Sequence, residues 1–500
     1  MKNLLLAISL CFVFPFISFA QSDEDALRYS QITLGGTARA LGCGGAFSSL
    51  GADFSTISQN PAGLGWYRGS ELSFTPTLVG IDTKSSFIDG ITDAQKYKFN
   101  VGSFGVVISN DLNKKHQDSK WKYLNIGFGA NRLNNFNSTV HFNGFNLNNS
   151  LVDYYLQLLN SGTGTPEADI HNNFPFSAGL GYEGFLVNPV SETSNFYNSV
   201  IPDGHVQQDG LIESQGGTTE YGVSIAGNYD NRLFLGMTLG MPAINYSTTN
   251  SYYETDASNS ISNFKSFTLT DYLSTTGYGF NGKIGAQYKV NDFFQIGASV
   301  HTPTYYNLTD AYNSSIASIL DTTQGASYTT PAGSYNYSLI SPWRVMAGAS
   351  FIFKQSGFLS LDYELINYNQ MHYNFNKTGS VSDLDYESIV NNTIKDKYKA
   401  TSNLRIGGEY ALNIFRFRLG AAFYQSPFKS GVAVPDFNLS NTSITGGFGV
   451  RGNNIYCDVA YVHSATKQFY QPYSLTDESV TGVGIKKNTG TLALTIGYRY

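Results

Sequence analysis

The chain has 500 residues, 31 basic and 37 acidic, for a net charge of −6, and only 14% of its residues are charged. This balance excludes a nucleic-acid binder, which needs a basic excess to neutralise phosphates, and three cysteines exclude a disulfide framework or a multi-cysteine zinc site. Aromatic residues at 15% together with 51 glycines exclude a disordered chain or a coiled coil and point to many β-strands.

Met1-Lys2-Asn3 leads into a largely apolar run from Leu4 to Phe19, and Ser18-Phe19-Ala20 puts small residues before Gln21. This pattern predicts a secretory signal peptide over residues 1–20, cleaved after Ala20. No later run approaches 18 apolar residues, so no spanning helix is expected, but a β-barrel remains open. Residues 21–69 read differently from the rest. Gly35 to Phe47 is dense in glycine and small side chains, Asp53 to Gln59 suits a short helix stopped before Pro61, and Asn60-Pro61-Ala62 turns the chain. No strand precedes the glycines and no Lys-Ser/Thr follows them, which argues against a phosphate loop. A small-residue segment of this size suits a hatch folded into a barrel too wide for its own side chains to fill.

From residue 70 onward, period-2 alternation predicts fourteen strands, at about 70–81, 98–110, 121–136, 215–229, 232–249, 265–289, 293–308, 335–354, 357–373, 402–412, 414–425, 441–451, 454–467 and 482–500. Some connections are tight, such as Tyr229-Asp230-Asn231-Arg232 and Arg451-Gly452-Asn453-Asn454. Others are long, at 137–214, 250–264, 309–334, 374–401, 426–440 and 468–481. Short and long alternate, as periplasmic turns and extracellular loops do in a transmembrane barrel. Leu151 to Asn160 and Asp383 to Lys397 have helical spacing. An aromatic end, Tyr500 after Tyr498, suits a final strand read by the outer-membrane barrel assembly machinery. The expected fold is all-β: a fourteen-stranded antiparallel transmembrane β-barrel over 70–500, with a hatch (21–69) in its lumen, helical insertions in extracellular loops, and its longest loop at 137–214.

Three stretches carry a family likeness: the small-residue run ending in Asn60-Pro61-Ala62; Ser341-Pro342-Trp343-Arg344 through Asp362-Tyr363-Glu364; and Leu404-Arg405-Ile406-Gly407-Gly408-Glu409-Tyr410 through Phe423-Tyr424-Gln425-Ser426-Pro427. With the final strands, the chain resembles the outer-membrane long-chain fatty acid transporter (FadL/TodX) family in the form common in Bacteroidetes. The insertion 137–214 departs from that pattern. The resemblance implies a monomeric barrel in the Gram-negative outer membrane. Such a protein would capture hydrophobic or amphiphilic molecules at its outer loops, pass them by the hatch, and release them sideways through a kink in the third strand. Here the alternation of that strand breaks at Asn131, Arg132, Leu133, Asn134 and Asn135.

Turning the apolar face to lipid leaves Lys283, Arg344, Asp362, Glu364, Arg405, Glu409, Arg416, Arg418, Asp458 and Arg499 inside. Guanidinium holds a carboxylate bidentately, so Arg344, Arg405, Arg416 and Arg418 are the candidates to neutralise an anionic ligand. Equally, they can pair with Asp362, Glu364 or Glu409 and hold the hatch. Cys457 should face lipid as a free thiol, and His301 and His463 suit an interfacial belt. No histidine cluster has metal spacing, and no Ser–His spacing suggests an outer-membrane lipase. No cofactor, metal or enzymatic activity is expected. The alternative function is an outer-membrane shuttle or anchoring component of a protein secretion system, served by loop 137–214.

Overall fold

The computed structural model describes residues 21–112, 119–321, 325–375 and 381–500, so the predicted signal peptide lies outside the described residues. Fourteen antiparallel strands form the wall: β1 (Glu71–Phe87), β2 (Gly90–Asp111), β3 (Trp121–Asn135, continued by Ser138–Asn146), β4 (Val206–Tyr229), β5 (Leu233–Thr255), β6 (Ser266–Lys289), β7 (Phe294–His301, continued by Tyr305–Ile319), β8 (Gly333–Ile340, continued by Arg344–Ile352), β9 (Gly357–Asn367, continued by His372–Phe375), β10 (Ala400–Leu412), β11 (Phe415–Tyr424), β12 (Asn441–Arg451), β13 (Ile455–Tyr470) and β14 (Val483–Arg499). Each pairs with its sequence neighbour, and β14 closes the barrel on β1 from Glu71↔Arg499 to Ser86↔Gly484.

Alternation turns this barrel inside out relative to a soluble one. On β11, Leu419 is 75% exposed while the adjacent Arg418 is buried. Successive side chains of a strand point to opposite faces, so one oily face and one polar face follow directly from a period of two.

All fourteen segments read from the alternation are strands, and several are longer than expected. β1 and β2 do not stop near 81 and 98. They continue to a two-residue turn, Ile88-Asp89, in which Ile88 takes a φ of +51°. Above residue 81 the outward positions become Asp82, Lys84 and Ser86, so the oily signal ends although the ladder continues. Likewise β5 runs on to Thr255 and β7 to Ile319, into stretches expected to be loops.

The expected loop 137–214 opens and closes with paired strand, from Ser138↔Ser214 to Asn146↔Val206. Between them lie α3 (Leu151–Leu159), α4 (Ile170–Asn173) and α5 (Ala178–Glu183). Val152, Tyr155, Leu159 and Leu180 of these helices bury against Phe142, Phe267 and Ile485 of the strand ends, forming a cap with its own core. The second expected loop helix is α6 (Val381–Lys397). Cys43 and Cys457 are free, the first buried and the second exposed. His301 departs from the belt expected for it: it is buried, and its Nε2 lies 2.7 Å from the Gln59 carbonyl. Its place in the alternation of β7, shared with Gln295 and Ser299, sends it inward.

Candidate functional site

Residues 21–69 lie within the ring of strands, buried for most of their length. They hold two helices, α1 (Asp23–Ser30) and α2 (Ala38–Gly42), and two short 3-10 turns, Phe54–Ser58 and Pro61–Trp66. Each starts on a polar cap: Ser22, Thr37, Asp53 and Asn60 side chains accept backbone N–H groups. The segment's remaining polar groups bond to the wall around the barrel. Ala38 N–H donates to Thr495 Oγ1 of β14 (2.7 Å), Gly44 N–H to Thr445 Oγ1 of β12 (3.0 Å) and Ser48 N–H to Asp362 Oδ2 of β9 (2.7 Å). Asn60, fully buried, donates from Nδ2 to the carbonyls of Ser48 (2.6 Å), Ala298 (3.2 Å) and Ala286 (3.3 Å). Pro61 and Ala62 follow it in the turn, where Asn60 Oδ1 accepts Ala62 N–H at 3.1 Å.

Three of the four candidate arginines belong to buried ion networks. Glu364 bridges Arg344 (2.8 Å) and Arg405 (2.5 Å), and Arg344 also donates to the Ser30 carbonyl at the end of α1. Arg418 spans Glu409 (2.6 Å) and Asp458 (2.7 Å), and Arg39 of α2 lies 3.6 Å from Glu409. Arg416 stands apart. It donates to the Asn413 and Phe415 carbonyls of its own turn, with Glu409 3.9 Å away. Thus Arg344, Arg405 and Arg418 have their charge satisfied by wall carboxylates. A third pair, Lys283 with Glu220, receives Ser58 of the segment at 2.8 Å. Glu220 carried no separate sequence signal beyond its parity on β4.

The break at 131–135 is a physical discontinuity. The β2–β3 ladder ends at Ser103↔Asn131, and beyond it residues 90–102 of β2 pair only with β1 among the described residues. The continuation of β3 pairs instead with β4, after a register shift between Arg132 and Asn134. The N-terminal segment docks on this seam. Thr33 N–H donates to the Leu133 carbonyl (2.9 Å), Asn134 Nδ2 donates to the Gln31 carbonyl (3.1 Å), and Asn135 Oδ1 accepts Asn137 N–H (3.0 Å). Gly35 lies so close that a Cβ there would stand 2.2 Å from the Arg132 carbonyl oxygen, which makes glycine obligatory. Opposite, Gly216 of β4 takes a φ of +111°, and its carbonyl accepts Arg132 Nη2 at 2.6 Å.

A cavity of about 790 Å³ lies above the segment. It is bordered by α1, by the seam (Gly102, Arg132, Asn134), by the inner faces of β1, β5, β13 and β14, and by the 426–440 loop through Val432, Val434 and Phe437. Its size falls in the range of small-molecule sites. Lys487 also lines it and was missed as a site residue, although it shares the inward parity of Thr491 and Thr495 on β14.

No family model and no curated protein matches this sequence. Solved structures do match. A FadL homologue of Pseudomonas aeruginosa aligns over 94% of this chain and 99% of its own, with 13% identity and a TM-score of 0.55. The Pseudomonas putida toluene transporter TodX aligns over 93% and 98%, with 14% identity and a TM-score of 0.53. The chain has the FadL-type barrel fold. At this identity the likeness speaks for architecture alone, the closed fourteen-stranded antiparallel barrel.

Proposed function

We propose that this FadL-type barrel is an outer-membrane channel for hydrophobic or amphiphilic small molecules, of the long-chain fatty acid kind, and not an enzyme. Residues 21–69 act as its hatch. Ligand is captured at the outer loops, occupies the cavity above the hatch, and leaves sideways at the β3 break. Exposed Leu72, Phe74 and Leu78 on β1, Leu361 and Leu365 on β9, and Leu492 and Ile496 on β14 support a lipid-covered belt, since apolar surface on this scale needs a non-aqueous neighbour. Tyr500 is exposed and stacks on Tyr498 at 5.9 Å, which suits a terminal strand presented to the assembly machinery.

One observation carries the reading: the wall ladder ends, the N-terminal segment docks and the cavity arrives at the same place, residues 131–135. The test is uptake of labelled palmitate, and of labelled toluene, by a deletion strain expressing either the full chain or a chain lacking residues 21–69. Uptake restored by the full chain alone supports the channel with its hatch. Normal uptake without the protein, alongside failed protein secretion, would favour the shuttle alternative. Exposed Phe185, Val190 and Phe196 on the 147–205 insertion are the surface such a partner would use.

A further inference from the structure

We infer that Lys84, Lys486 and Lys467 form a binding site on the outer wall of the barrel for a lipid head group carrying two phosphates, drawn from the extracellular leaflet. This goes beyond the channel reading and does not depend on its cargo. The three lysines stand in one row: Lys84 of β1 opposes Lys486 of β14, and Lys486 opposes Lys467 of β13. All three are exposed, and none has a carboxylate within ion-pair distance among the described residues. Opposed residues on one face of a sheet have Cβ atoms about 4.5–5.5 Å apart, and like charges so placed are destabilising. Two such pairs side by side make a repulsion that an anion lying between them would relieve. The acids on this face are Asp93, opposite Lys84, and Asp82, one row below beside Asn488. They are two against three, so the row keeps an excess of positive charge.

The height of the row selects the partner. On these three strands the lowest oily row is Leu72, Tyr498 and Ile455, and the highest is Leu78, Leu492 and Tyr461. Just above, the outward positions are Gly80 and Gly490, and exposed tyrosines lie over both. A Cβ there would stand 3.0 Å from the Tyr97 ring and 2.7 Å from the Tyr461 hydroxyl. Exposed tyrosines at the edge of an apolar wall mark the boundary between membrane and water. The lysine row lies twelve residues along the strands from the lowest oily row, a rise of about 30 Å on strands tilted by about 40°. The apolar band of such a barrel is about 25 Å tall, so the ammonium groups emerge just beyond it, at the level of lipid phosphates. This end is the extracellular one, because the α3–α5 cap and the long connections stand there and the tight turns stand at the other. Acyl chains of a lipid held by its phosphates would run down the wall over Leu492 and Leu78. Across three neighbouring strands the row spans about 10 Å, a width that suits two phosphates on one head group.

The test measures binding of diphosphoryl lipid A, monophosphoryl lipid A and free inorganic diphosphate to the full chain in dodecyl maltoside micelles. Lys84→Gln, Lys486→Gln, Lys467→Gln and the triple variant are compared with wild type, and Lys120→Gln, exposed at the opposite rim, is the control. Each lysine near a lipid surface contributes about a factor of five. Each single variant should therefore bind diphosphoryl lipid A about fivefold more weakly and the triple variant about a hundredfold, with Lys120→Gln unchanged. Wild type should prefer the diphosphoryl over the monophosphoryl lipid by at least about fivefold. The exposed positions leave folding intact, and heat-modifiability on a gel checks it for every variant. Wild-type affinity in the folded triple variant overturns the site, and so does an equal loss in Lys120→Gln. Equal binding of the two lipids overturns the assignment of two phosphates. Free diphosphate bound as tightly as the lipid shows an ion taken from solution and overturns the lipid partner. None of these results bears on uptake, so the channel reading stands or falls separately.

Discussion

Arg418 shows what a charged side chain does inside this barrel. It is completely buried, gripped by Glu409 on the adjacent β10 and by Asp458 on β13, two strands away on the other side. Removing one partner of a buried pair leaves the other charge uncompensated, at a cost of about 3–5 kcal/mol. Arg418→Ala should therefore lower the midpoint of urea unfolding and reduce the folded fraction on an unheated gel. Arg416→Ala, by contrast, gives up carbonyl contacts at an exposed turn and should change stability by less than about 0.5 kcal/mol in the same assay. Asn60→Ala removes three donated bonds and one accepted bond in a fully buried turn, and should cost about 2–3 kcal/mol while loosening the segment toward protease. At this scale parity alone sent all four arginines inward. It could not say that three are satisfied and one sits at the rim, because that depends on acids supplied by other strands.

At the scale of single elements, β3 carries the most consequence. Its alternation lapses at 131–135, and there the ladder to β2 ends. The partner feature on β4 was invisible beforehand: Gly216 reads as one glycine among 51, but its φ of +111° favours glycine, and a Cβ would stand 2.0 Å from the Asn245 carbonyl oxygen. Gly216→Ala should destabilise the barrel by about 1–3 kcal/mol and lower uptake, read by unfolding and transport assays on the same preparation. The cap is a second element with its own behaviour. Burial pushes the Glu254 carboxyl, held by Ser150, Leu151, Tyr252 and Gln208, up to about 6, and the Asp153 carboxyl up to about 6 as well. Both are raised above their ordinary values, so the closed cap holds these protons more tightly than an opened one. Their contribution is complete below about pH 4 and is lost as pH rises through about 6. Proteolysis within 147–205 should accelerate between about pH 5 and pH 7.5, and a flat profile would refute the assignment.

For the whole molecule, polarity is reversed: ion networks inside, aliphatic and aromatic side chains outside. The purified protein should stay monodisperse only with detergent or lipid, and size-exclusion chromatography should show aggregation when detergent is withdrawn. A monomer in plain buffer would contradict the lipid belt. The N-terminal segment is central to the same scale. It bonds to β3, β4, β6, β8, β9, β12 and β14, so it ties the wall together as well as filling it.

The amino-acid sequence by itself determined the strand count, the inward and outward faces, and the lapse of alternation along β3 at 131–135. All of these are written in local alternation, which needs only a residue and its near neighbours. The tertiary structure alone decided which acid meets which arginine, where the segment docks, that β1 and β2 continue past their oily stretch, and that Arg132 and Lys487 line one cavity. Those outcomes join residues far apart in the chain, such as Ser48 with Asp362 across 314 positions and Ala38 with Thr495 across 457, and they arise only once the barrel has closed and brought distant strands around a shared interior.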